Sequence, residues 1–151
     1  MIDQPDDSAL TMPNILLPHR ERTIRRMKAQ KTVLCIQDGS DLNYSNLSQC
    51  KDLGFVGTNQ TGARSKGLHL HSTFVTTTDG LPLGVLRAEC SAPEPRPEDD
   101  KRSAPTIPIE EKKSFCWIKG IRDCADLKIQ MPHTSLICVE GAQTGTRELF
   151  P

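Results

Sequence analysis

Aromatic residues are scarce, at 4% of a 151-residue chain with one Trp, one Tyr and four Phe. A stacking platform for single-stranded nucleic acid needs several aromatic faces, so that class is disfavoured. An excess of one charge sign is missing too. Lys+Arg and Asp+Glu are both 19, and the formal net charge is zero. This removes the argument from global positive charge for nucleic-acid binding and leaves only local basic patches. No run of about 18 apolar residues exists, so no membrane-spanning helix is expected. The opening MIDQPDDSAL is acidic and has no apolar core of the kind a secretory signal needs. None of the six cysteines forms a C-x-x-C pair, so a zinc ribbon or a thioredoxin-like site has no support. Cys35 and Cys138 lie in apolar runs, where a thiol behaves as a small hydrophobe. Free thiols in a reducing cytoplasm are the expectation. The hydrophobic share is 36%, below the usual value of roughly 45–50%. One domain with a thin core follows.

The chain divides at about residue 31. Residues 1–14 read as a loose acidic, proline-bearing leader. Residues 15–31 hold Arg20, Arg22, Arg25, Arg26, Lys28 and Lys31 against the single acid Glu21, with a short basic helix expected from Glu21 onward. That helix is either a solvated face or a set of phosphate contacts. Thr32–Gln37 is rich in β-formers and reads as a buried strand. Asp38-Gly39-Ser40-Asp41 reads as the turn that ends it. Residues 54–67 read as a glycine-rich loop. His69–Thr78 and Leu81–Glu89 read as two strands joined at Asp79-Gly80, a strong hairpin signal. Residues 91–108 read as a proline-rich surface linker. Residues 109–130 carry apolar side chains at helical spacing, with Glu110 and Glu111 expected in the first turn. Ser135–Val139 reads as another buried strand. The order strand, loop, hairpin, linker, helix, strand predicts an α/β fold with a mixed sheet and flanking helices.

Asp38 is the strongest candidate for chemistry. A carboxylate at the C-terminal end of a strand stands where open α/β sheets bind ligands. Beside a second acid on an adjacent strand, it could help hold two Mg²⁺ ions for phosphoryl transfer. The alternative is that Asp38 caps a turn. His69 and His71 share a strand face and could supply two metal ligands, or simply pack on the core. Trp117 reads as a core anchor.

Five segments then appear in a recognisable order. Ile36-Gln37-Asp38-Gly39-Ser40-Asp41-Leu42-Asn43-Tyr44 resembles the first catalytic block of bacterial cut-and-paste DDE transposases of insertion-sequence family four, Q-D-T-T/S-D-L-x-Y. Gly67-Leu68-His69-Leu70-His71-Ser72 is similar to its G-L-x-x-H-S strand. Asp79-Gly80-Leu81-Pro82-Leu83-Gly84 is similar to its D-G-x-P-L-G hairpin. Glu111-Lys112-Lys113-Ser114 through Trp117 resembles its E-K-x-S-x-x-W helix. Leu136-Ile137-Cys138-Val139 resembles the strand leading to the second catalytic block. The resemblance spans roughly residues 15–150.

The resemblance implies a partial ribonuclease-H-like domain over 32–151, preceded over 1–31 by a disordered leader and the basic remnant of an end-binding domain. It implies a DDE triad with Mg²⁺ or Mn²⁺, acting on transposon-end DNA. Asp38 would be the first acid and a metal ligand. Gly39 stands where the family usually has Thr. The second acid falls on Gly141, which has no carboxylate, and its neighbour Glu140 is on the wrong strand parity to replace it. The third acid would lie beyond Pro151. DNA contacts are expected from Arg20, Arg22, Arg25, Arg26, Lys28, Lys112 and Lys113. The expectation is a truncated, degenerate and catalytically inactive transposase fragment. The alternative is a non-catalytic fragment that binds DNA or interferes with an intact transposase. Loss of part of the fold should leave it marginally stable.

Overall fold

The computed structural model describes residues 10–47, 49–58, 64–94, 97, 99–112, 114–131 and 133–140. The elements in order are α1 (Met12–Met27), β1 (Thr32–Asn43), β2 (Gly54–Thr58), β3 (Arg64–Thr77), β4 (Pro82–Ser91), α2 (Phe115–Gln130) and β5 (Ser135–Glu140). Two short 3-10 turns, Ala104–Thr106 and Ile109–Glu111, precede α2. The expected α/β class with a mixed sheet is observed, with five strands and two α-helices among the described residues.

The long strand β3 organises the sheet. β1 runs antiparallel along one edge, from Val33↔Thr77 to Asn43↔Gly67. β4 and then β2 run antiparallel along the other edge. β5 adds to the free edge of β1 in parallel, from Thr32↔Ser135 to Gln37↔Glu140. Connecting a parallel pair requires a crossover, and the long excursion through α2 supplies one.

Several elements differ from the sequence expectation. α1 begins at Met12, inside the segment read as leader. Its N-terminus is set by Thr11, whose hydroxyl accepts from the Asn14 N–H at 3.4 Å, an N-cap arrangement. The helix continues through Pro18. β1 does not end at Asp38. The turn-like Asp38-Gly39-Ser40-Asp41 stays extended because each of the four pairs with β3, opposite Ser72, His71, Leu70 and His69. Tertiary pairing overrides the local preference there. Part of the expected glycine loop is β2, and β3 begins at Arg64 rather than His69. The 91–108 segment is tied down at several points. Phe55 N–H donates to the Pro93 carbonyl, Ile107 is buried, and Arg102 bonds both Asp100 and Glu111. Glu110 and Glu111 lie in a 3-10 turn ahead of α2 instead of in its first turn. The hairpin is as expected, with Gly80 at φ +83° and Thr77 N–H donating to the Leu81 carbonyl.

One face of the sheet carries the core. Val33 and Cys35 of β1, Val75 of β3 and Leu83 and Leu86 of β4 cluster with Met27 of α1 and Cys124, Leu127 and Met131 in and after α2. Burial alternates along the first half of β1, as a half-covered strand should. Both helices therefore lie on this face. The opposite face carries Leu34, Ile36, Phe74, Ile137 and Val139, all partly exposed.

α1 docks through a defect in β4. The β3–β4 register shifts twice, between Thr73 and Phe74 and between Val75 and Thr76. Such bulges free ladder carbonyls. Thr23 Oγ1 donates to the Val85 carbonyl at 3.0 Å, and Arg26 Nη1 donates to the Leu83 carbonyl at 2.8 Å. Gly84, at φ +135°, permits the approach, since a Cβ there would lie 2.3 Å from Thr23 Oγ1.

Candidate functional site

Asp38 follows the last parallel pair between β1 and β5. Gln37 points to the core and is buried, so Asp38 points to the opposite face, away from α1 and α2, and is exposed. Ser40, two residues on and on the same face, donates its hydroxyl to Asp38 Oδ2 at 3.5 Å. Asp38 is therefore a mid-strand residue; the turn-capping alternative does not apply. Gly141 and Lys113 lie outside the described residues, as do the Glu148-Leu149-Phe150 positions. Among the described residues, no three His, Cys, Asp or Glu side chains are grouped to hold a metal ion. Among the described residues, the donors around Asp38 do not fit a two-metal centre, which needs several oxygen ligands per ion.

The basic residues lie elsewhere. Arg22, Arg25 and Lys28 are exposed and recur every three residues, forming one stripe at the C-terminal half of α1. Arg20 is half-buried. Arg26 is a strut between α1 and β4, through Leu83. Lys112 is half-buried just before α2, and its neighbour Glu111 is engaged by Arg102 at 2.8 Å. α1 covers the core face whereas Asp38 is on the other one, so the fold does not bring Asp38 and the α1 cations together.

On the core face, at the level of Asp38, a charged group fills the space under α2. His69 Nδ1 and Asp41 Oδ1 are 2.7 Å apart. The His69 ring lies over Gly39, where a Cβ would be 3.1 Å from it. A Thr at 39, as in the resembled family, would crowd that imidazole. Arg87 of β4 is the hub. It bonds Glu89, reaches Asp123 of α2 at 2.8 Å through Nε, and donates from Nη1 to His71 Nδ1 at 3.1 Å. Lys119 completes the group on Glu89 at 2.9 Å. Because an arginine only donates, His71 Nδ1 must accept, which leaves the proton on Nε2. That nitrogen is buried and has no hydrogen-bond partner among the described residues. The His71 and Trp117 rings meet edge to face with centroids 4.8 Å apart. Burial, then the Arg87 and His69 charges, pull His71 down from 6.5 to about 4, with Asp38 acting in the opposite sense. Both histidines thus belong to the packed face.

Sequence reasoning missed Arg87, Asp123 and Arg102. Their partners are distant in the chain or sit in segments read as linker. No pattern of spacing marked them. Comparison with protein-family models and with curated proteins gives no match.

Proposed function

We propose that the chain is a degenerate relative of DDE-type DNA transposases that engages DNA without cutting it. The reading rests on the five ordered sequence resemblances. The observation that carries it is the setting of Asp38: an exposed carboxylate on the face of a mixed sheet away from α1 and α2, immediately past the last pair with the parallel strand β5. One carboxylate with a serine neighbour does not hold two divalent ions, so strand cleavage is not assigned to this chain.

The non-catalytic role is favoured by the exposed Arg22, Arg25 and Lys28 stripe. Among the described residues none of the three is held in an ion pair. Three cations at helical spacing suit successive phosphates of a duplex backbone, a contact that carries no base specificity. Electrophoretic retardation of duplex DNA across a salt series tests this. Retardation that weakens steeply with salt is expected. Its absence at low salt would remove the DNA-binding role.

A further inference from the structure

Three thiols converge where α2 crosses β1 and β5. Cys35 and Cys138 are register partners on adjacent parallel strands, with Cys35 fully buried and Cys138 packed against the same cluster. Cys124, on α2, closes over them from above and is also buried. Each of the three thiols has the other two as side-chain neighbours. A cavity of about 340 Å³ opens onto two of them, lined by Cys124 and Cys138 together with Ile121, Lys128, Ser135 and Leu136. Cys35 lies behind the wall and does not line it. The neighbouring Cys124 and then Cys35 pull the Cys138 thiol down, against the effect of burial. The neighbouring Cys138 and burial push Cys124 up. Of the two thiols on the cavity wall, Cys138 is the more accessible, being half-buried where Cys124 is buried.

We infer that Cys138 and Cys124 form an oxidant-reactive thiol pair, with hydrogen peroxide entering the cavity as the oxidant. The Cys138 thiolate attacks the peroxide O–O bond. An S–O bond forms, the O–O bond breaks, and the departing hydroxide takes up a proton to leave as water. The Cys124 thiol then attacks the Cys138 sulfenic acid. An S–S bond forms, the S–O bond breaks, and a second water leaves with the Cys124 proton. Two thiols are oxidised by two electrons in total, and one peroxide is reduced to two waters. A dithiol reductant reverses the change by exchange. The reaction locks α2 to β5.

Hydrogen peroxide is the probe, applied to the full chain at modest molar excess. Intact mass should fall by two hydrogens. Tryptic mapping without reduction should link the peptide 123–128, which carries Cys124, to 129–147, which carries Cys138. Dithiothreitol should restore both. The Cys90→Ser variant, at an exposed thiol, should behave as the parent. Cys138→Ser should form no bond, and mapping of the parent chain decides the matter even where that variant fails to fold. Oxidation confined to Cys90, a bond that uses Cys35, or no mass change would each overturn the inference.

Discussion

Removing the Arg87 guanidinium would strand three partners at once. Its side chain is mostly buried, at 13% exposure; it pairs with Glu89 of its own strand and links β4 to His71 of β3 and Asp123 of α2. Charged hydrogen bonds of this kind contribute about 1.5–3 kcal/mol, and the partners left behind are costly to desolvate. Arg87→Met, which keeps the apolar stem, should destabilise the fold by about 2–3 kcal/mol in urea unfolding. His71 gives a second test at this scale. Its proton affinity in the fold is lowered from 6.5 to about 4. Between those values the unfolded chain binds a proton that the folded one refuses. Its contribution is therefore complete above about pH 6.5 and is lost as pH falls toward 4, by up to about 1.4 kcal/mol per pH unit. Urea midpoints taken across this window should fall with acid in the parent and fall less in His71→Gln.

The docking of α1 onto the bulged β4 is the element most exposed to a single change. Gly84→Ala forces a Cβ into Thr23 Oγ1 at a φ of +135° that alanine avoids. A loss of about 2 kcal/mol or more is expected, combining backbone strain with the broken Thr23–Val85 bond. A lowered thermal midpoint checks it. The outward side of the same helix carries Arg22, Arg25 and Lys28. Replacing all three by Gln should reduce the slope of log K against log salt by about 2–3 for duplex DNA, with the fold unchanged by circular dichroism. Elements with local signals were legible in the sequence. The Asp79-Gly80 hairpin, the apolar rhythm of α2 and the short run of β5 all depend on near neighbours. The second half of β1 was not legible. Asp38-Gly39-Ser40-Asp41 has turn composition, and only the ladder to His69–Ser72 keeps it extended. The start of α1 was obscured by Pro13 and Pro18. Pro13 lies in the first turn, where proline is tolerated. Asp38 was read at the end of a strand, and only the pairing with β3 puts it in mid-strand. The side of the sheet it faces, away from the α1 cations, required the pairing.

At the scale of the whole molecule, the two faces of the sheet do different work. One is packed beneath α1 and α2, with the Arg87 group at its polar end. The other presents Leu34, Ile36, Phe74, Ile137 and Val139 around the position of Asp38. Among the described residues this apolar surface with its one carboxylate groups no set of metal ligands, which is why the proposed role lies in contact rather than cleavage. The most direct test is an incubation of the purified chain, and of Asp38→Ala, with transposon-end duplex DNA in Mn²⁺ or Mg²⁺, resolved on native and denaturing gels. Salt-sensitive retardation without nicks, equal for both proteins, is the expected result. Nicking by the parent chain that is lost in Asp38→Ala would contradict the account.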